Sequence, residues 1–221
     1  MKKIVILITL SVLSIVPVYS QNVNWSWLNE ENPNHVHLKI GYDFGVTTQF
    51  GYSRSFKLIK PVLFTVDYSF PMGHIIFDDY KIRYGGQAEI AEWKNFIASL
   101  KLFGNLKRHE TELVRIFNFG IEPSILIGYY KPSWHLALEI GIIKPLTSNI
   151  KHSEVVKENY PTIHDGWFKS AGGYYIYGIQ SSKTIGDSFD LSFRVGLINA
   201  YSNNKDAMLP YYAQIGIMKR F

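Results

Sequence analysis

The stretch from residue 144 to residue 171 contains the richest set of side chains that could do chemistry. A histidine can act as a general base toward a serine hydroxyl, and a carboxylate can hold that histidine in the required orientation. The candidates are His152 or His164 as the base, Ser153 as the nucleophile, and Asp165 or Glu154 as the orienting acid. Residues adjacent in sequence, such as His152 and Ser153, seldom lie in line for proton transfer. These are therefore weak candidates, and an exposed loop without catalytic activity is the alternative.

Metal and thiol chemistry have less support. His74, Asp78 and Asp79 lie close together in sequence, but their spacing fits no standard metal site. The chain has no cysteine, which excludes a disulfide scaffold, cysteine-ligated zinc, an iron–sulfur cluster and a lipid-modified N-terminal cysteine. The sequence therefore predicts no metal site and no cofactor, and a protein that is not an enzyme is the expectation.

Residues 1–20 predict a secretory signal peptide. Lys2 and Lys3 precede a mostly apolar run, and Val18 and Ser20 suit a cleavage site before Gln21. The apolar run is shorter than the roughly 20 residues of a membrane-spanning helix, which is the alternative. Cleavage would remove two lysines and no acid, and would lower the formal charge from +5 to +3. So small a charge on an exported chain gives no reason to expect a nucleic-acid partner.

Strict alternation of apolar and polar residues dominates residues 21–221, which indicates β-strands in a single domain. The longer polar links between the alternating segments are expected at 71–80, 105–112, 144–171 and 199–210. The three residues Asp43–Gly45 suit a tight hairpin with Gly45 in the left-handed conformation. Ten strands are predicted, with eight as the alternative, near residues 35–43, 46–56, 62–70, 81–92, 95–105, 113–129, 134–143, 172–180, 188–198 and 211–221.

Alternation alone does not decide which face meets the solvent. In a soluble secreted β-protein the apolar face points inward, whereas in a membrane barrel it points to lipid and the polar face lines the lumen. The predicted signal peptide favours the membrane barrel. So do the apolar segments, which are close to the roughly 9–11 residues that span a bilayer and carry aromatic residues near their ends.

The last strand carries a resemblance. Tyr211, Ile215 and Ile217 alternate with polar or small residues, and Phe221 ends the sequence. This ending resembles the C-terminal strand of small outer-membrane β-barrel proteins of Gram-negative bacteria. The resemblance implies that these four residues are an assembly signal read by the barrel assembly machinery. Lys219 departs from the apolar residue usual at its position. The implied fold is all-β, a closed antiparallel transmembrane β-barrel in contact with outer-membrane lipid.

The polar face of the predicted barrel carries charges of both signs in similar numbers. Barrels of this size have interiors that side chains can nearly fill, and opposite charges inside should pair because an unpaired buried charge is costly. We expect Arg83 and Arg194 each to lie within ion-pair distance of a carboxylate. The predicted lumenal network comprises Lys39, Asp67, Arg83, Glu89, Lys101, Glu122, His135, Glu139, Asp190 and Arg194.

Three functions are compatible with this pattern. The first is a structural or surface-interaction role for a barrel with a largely plugged lumen, with an extracellular ligand or protein bound on the long loops. The second is a narrow channel for ions or solutes. The third is an outer-membrane hydrolase that uses residues of the 144–171 loop.

Overall fold

The computed structural model describes residues 24–27, 32–73, 77–170, 172–201 and 209–221. The predicted signal peptide lies outside the described residues. A short 3-10 helix at Trp25–Trp27 precedes the strands, and one short helix, α1 (Glu154–Asn159), lies between two of them. The strands are β1 (Asn34–Tyr42), β2 (Val46–Lys57), β3 (Pro61–Pro71), β4 (Tyr80–Trp93), β5 (Phe96–Glu110), β6 (Val114–Lys131), β7 (Trp134–His152), β8 (Gly166–Lys169), β9 (Tyr174–Ile185), β10 (Phe189–Ala200) and β11 (Tyr211–Arg220).

Ten of these strands form a closed antiparallel barrel, as the sequence predicts. Each strand pairs with the next along the chain, and β9 follows β7 in the wall because β8 lies beside β7 outside the closed ring. The ring closes where β1 pairs with β11, with Ile40 opposite Ile215. The backbone of Asn34 also exchanges two hydrogen bonds with Phe221, at 3.1 and 3.0 Å. Closure leaves the ring without an edge strand.

The barrel is apolar outside and polar inside. Leu138 and Ile140 on β7 are both 60% exposed, whereas Glu139 between them is 1% exposed. The same alternation holds on β5, where Leu100 and Leu102 point outward and Ser99 is fully buried. An apolar band of this extent indicates contact with lipid, because exposing so much apolar surface to water is unfavourable. The alternative of a soluble barrel with an apolar interior is therefore wrong, and the chain is a membrane barrel.

Several strands run further than the sequence predicts. β6 has 18 residues and β7 has 19, well beyond what a bilayer needs. Their ladder continues as far as the pairing of Val114 with His152. The prediction of one loop over 144–171 is therefore wrong for residues 144–152, which belong to β7. Likewise, the predicted link over 105–112 is wrong for residues 105–110, because β5 extends to Glu110. Strand residues in excess of the roughly 9–11 that span a bilayer need no apolar face.

The hairpin between β1 and β2 has the predicted three-residue loop, since Tyr42 pairs with Val46. Gly45 is not among the glycines with positive φ, so the prediction of a left-handed Gly45 is wrong. The odd loop length keeps the inward and outward faces in phase from β1 to β2. This end of the barrel carries the longer links and is called the loop end. The opposite end carries Asn34 and Phe221 and is called the terminal end.

The first described residues fold into the barrel at its terminal end. Trp25 is 5% exposed and packs with inward-facing side chains of three strands, Ile97, Tyr130 and Ala137. Asn24 Nδ2 donates a 2.6 Å hydrogen bond to the carbonyl of Lys131. Residues that precede β1 thus fill part of the barrel interior next to β5, β6 and β7.

Candidate functional site: the charged lumen and an outer cleft

A row of residues across β1 to β4 forms the first cluster of charges in the lumen. The strand register places His37, Gly51, Asp67 and Arg83 side by side on the inward face. His37 Nε2 lies 2.7 Å from one oxygen of Asp67, and Arg83 donates to the other oxygen at 2.9 Å. The first contact passes over Gly51, where a Cβ atom would collide with both the imidazole and the carboxylate. Glycine is therefore needed at this position for the histidine and the acid to meet.

Glu139 is the centre of a second cluster. Its carboxylate accepts hydrogen bonds from Lys101 at 3.0 Å, from Arg194 at 2.8 Å and from Gln180 at 2.6 Å. Arg194 also lies over the ring of Tyr212, 4.3 Å from the ring centroid. A side chain so completely buried can stay ionised only if it is paired and hydrogen-bonded, and here both conditions are met.

Further pairs lie toward the two ends of the lumen. Toward the loop end, Lys81 lies 2.9 Å from Glu122 and 3.4 Å from Asp43. Toward the terminal end, Arg220 lies 3.3 Å from Asp190. Other contacts in the lumen include Arg83 with Glu122 at 3.6 Å, Lys60 with Glu89 at 2.6 Å, Asn105 with Glu122 at 3.1 Å, and His135 with Ser182 at 2.7 Å.

All ten residues of the predicted lumenal network lie on the inward face. Arg83 and Arg194 each contact a carboxylate. Lys39 differs, because no described carboxylate lies within ion-pair distance of it. Two cavities lie among these side chains: one of about 30 Å³ borders Lys39, and one of about 10 Å³ borders Asp43 and Glu122. Cavities of this size hold a few water molecules at most.

The catalytic candidates lie at the loop end, and the structure brings two of them together. The backbone N–H of His152 donates to Asp165 at 2.8 Å, and the ring Nδ1 lies 3.0 Å from the same oxygen. Asp165 also pairs with Lys157 at 3.1 Å. The pKa of Asp165 is lowered to about 2 by the His152 backbone N–H, the Lys157 ammonium and the His152 ring, in that order. With Asp165 ionised, the ring Nδ1 carries a proton and Nε2 is the basic nitrogen.

The other catalytic candidates do not join this pair. The hydroxyl of Ser153 is buried and has no hydrogen-bond partner among the described residues. His164 is exposed, and the carboxylate of Glu154 contacts Lys157 at 3.1 Å. His152 and Asp165 do line an open cleft of about 450 Å³, called the outer cleft, together with Glu110, Thr111, Glu112, Leu113, Val114, Arg115, Lys151, Ser153 and Lys157.

The weak metal candidates remain apart from any site. His74 lies outside the described residues. Asp79 accepts hydrogen bonds from the ring of His109 and from the backbone N–H of Glu110, both at 2.9 Å. Within the described parts of the chain, no group of three or more histidine or acidic side chains is arranged to hold a metal ion. In those same parts, no helix is long and apolar enough to cross a membrane.

The four residues of the predicted assembly signal lie on the outward face of the closing strand and at its end. Tyr211, Ile215 and Phe221 are 44%, 55% and 51% exposed, and Ile217 is partly exposed. Lys219, which departs from the pattern, lies 5.7 Å from the ring centroid of Phe189. Its charge is thus placed over an aromatic ring close to the end of β11.

Sequence reasoning missed three contributors to the lumen. Trp25 precedes the first strand and belongs to no alternating segment. Gly51 contributes because its missing side chain leaves room for the contact between His37 and Asp67. Tyr212 lies over Gly178 and Gly196, where a Cβ atom would collide with its ring. An inward-facing aromatic residue whose cross-strand neighbours are glycines is a signal that the sequence contains once the register is known.

No model of a protein family matches this chain, and no curated protein matches its sequence. Among solved structures, a KdgM porin is similar over 85% of this chain and 99% of its own, with a TM-score of 0.42 and 8% identity. That likeness is too slight to bear on function. The barrel architecture follows from the strand pairing described above.

Proposed function

We propose that this protein is an outer-membrane β-barrel whose lumen is closed by its ion pairs, and that its loop end faces outward and binds a ligand or protein at the cell surface. The pairing of the buried carboxylates is the observation that carries the first part. Glu139 alone links three strands through Lys101, Gln180 and Arg194. These contacts cross the lumen, which supports a lumen closed to solutes.

Conductance is the direct test. The refolded mature chain in a planar bilayer is expected to give no stable single-channel steps. A double variant, Glu139→Ala with Arg194→Ala, removes the centre of the second cluster and is expected to conduct if it folds. Folding is checked by gel mobility in SDS with and without boiling. Steps from the unmodified chain would support a narrow channel instead and would overturn the closed lumen.

In this proposal the surface ligand or protein binds to the segment between β7 and β9. This segment contains α1 and β8, and its Trp167 and Phe168 are 63% and 43% exposed. Replacing residues 154–169, which include α1 and β8, by a short glycine–serine link is expected to abolish surface binding while the barrel still shows its mobility shift. A matched shortening between β10 and β11 is the control. Equal binding by both variants would remove the segment from the proposal.

A hydrolase is a second candidate, and one observation favours it. His152 is held by Asp165 beside the outer cleft, so its Nε2 could activate water toward a bound ester or amide. His152→Ala should then abolish hydrolysis in a panel of acyl-ester and peptide substrates, whereas His164→Ala, at an exposed histidine without this partner, should not. Absence of turnover by the unmodified chain, or equal turnover by both variants, would exclude this use of the cleft.

A further inference from the structure

The buried carboxylates of the described chain can be assigned one by one to cations. They are Asp43, Asp67, Glu89, Glu122, Glu139 and Asp190. Their partners are Lys81 for Asp43, His37 and Arg83 for Asp67, Lys60 for Glu89, Lys81 and Arg83 for Glu122, Lys101 and Arg194 for Glu139, and Arg220 for Asp190. Every buried acid therefore has a basic partner. Lys39 is the buried lysine that this assignment leaves over.

Lys39 is only 3% exposed, and its ammonium group has three N–H donors without an acceptor among the described residues. The charged groups near it include three cations, Arg83, Arg194 and Lys101, and one carboxylate, Asp67. Asp67 is already engaged by His37 and Arg83. A buried cation in this position lacks both a counter-charge and hydrogen-bond acceptors, and each of these deficits is costly.

The cavity of about 30 Å³ beside Lys39 is lined by four cations and no carboxylate. The cations are Lys39, Arg83, Lys101 and Arg194. Asp67 and Glu139, the acids that pair with three of them, neutralise only half of this charge. The rest of the wall mixes polar and apolar side chains, namely Thr65, Gln87, Gln180, His135, Tyr130, Leu63, Phe103 and Leu126. The cavity therefore has a net positive charge.

The size of the cavity limits what can neutralise it. Its volume is about two to three times what one water molecule needs, which suits a single monatomic ion with a water. We propose that the lumen binds one halide ion, chloride under ordinary conditions, against the Lys39 ammonium, and that this ion is a structural part of the folded barrel.

The first test locates the ion in the unmodified protein. Crystals of the refolded mature chain grown in sodium bromide are expected to show an anomalous peak within contact distance of Lys39 Nζ. A cavity with water density only, at the same bromide concentration, would overturn the proposal. This measurement needs no variant and therefore does not depend on whether a variant folds.

The second test measures the contribution of the ion to stability. The temperature at which the barrel loses its SDS-resistant mobility is expected to be several degrees higher in sodium chloride than in sodium gluconate of equal ionic strength. An ion that binds only the folded state has this effect, and gluconate is too large for the cavity. Lys39→Met should abolish the difference, and Lys183→Met, on the exposed face of β9, should retain it. A difference that persists in Lys39→Met, or is absent from the unmodified chain, would overturn the site.

Discussion

The lumen and the outer cleft are built from the same kinds of ion pair but in different surroundings. Glu139 in the lumen is 1% exposed, whereas the side chain of Asp165 in the cleft is 34% exposed. In the lumen an ion that loses its partner has little water to replace it, so loss of a pair is costly. In the cleft water can replace either partner, so the pairs there add little to stability. The comparison indicates that the lumenal pairs contribute more to the stability of the barrel than the pairs in the cleft do.

Removing Glu139 should lower the stability of the barrel more than any of the changes below, because Glu139 is the centre of a lumenal cluster. Glu139→Ala leaves Lys101 and Arg194 buried without their partner, which should cost about 3–5 kcal/mol of unfolding free energy. Urea unfolding in lipid vesicles measures it. Glu92→Ala, at an exposed carboxylate on β4, is the control and should be nearly neutral. A Glu139 variant as stable as the control would mean that the lumenal cations are neutralised in another way.

Charging the neighbouring residue tests whether the two faces of β7 meet different solvents. Leu138 points outward next to the inward Glu139, so Leu138→Arg should cost about 2–4 kcal/mol because it places a charge against lipid. The same unfolding measurement applies, with Leu138→Ile as the control. Tolerance of the arginine would show that this part of the band lies outside the hydrocarbon.

Filling the gap over Gly51 tests the first lumenal cluster without removing a charge. Gly51→Ala drives a methyl group into the contact between His37 and Asp67 and should cost about 1–3 kcal/mol. Gly45→Ala is the matched control, because no atom lies within 4 Å of its added Cβ. If both substitutions have equal effects, the contact over Gly51 does not contribute to stability.

The smallest effect on the barrel is expected in the outer cleft. Because the folded-state pKa of Asp165 lies at about 2, below its ordinary value of 3.8, its contacts stabilise the segment above about pH 4 and are lost as the pH falls toward 2. Asp165→Asn should leave the urea midpoint unchanged but speed cleavage of residues 153–173 by an added protease at neutral pH. Unchanged cleavage would show that Asp165 does not order this segment.

The sequence predicted the parts of the fold that lipid dictates. Each membrane-spanning strand must alternate, so the ten strands and the outward position of Leu138 could be predicted from the pattern alone. The continuation of β7 to His152 could not, because a strand in water needs no apolar face. The pairing of His152 with Asp165 depends on how the chain folds back between β7 and β8, for which the sequence has no periodic signal. Gly51 acts through the cross-strand register that places it between His37 and Asp67, and Trp25 acts through contacts with strands far along the chain, so neither residue stands out in the alternating pattern.

The packing of Asn24 and Trp25 against residues of the middle of the chain has a consequence for the order of folding. The hydrogen bond from Asn24 to Lys131 joins residues 107 positions apart, and the pocket for Trp25 exists only after β5, β6 and β7 are aligned. Contacts of such long sequence separation form slowly. The docking of Trp25 should therefore follow the alignment of β5, β6 and β7, and the fluorescence of its indole ring would report that step.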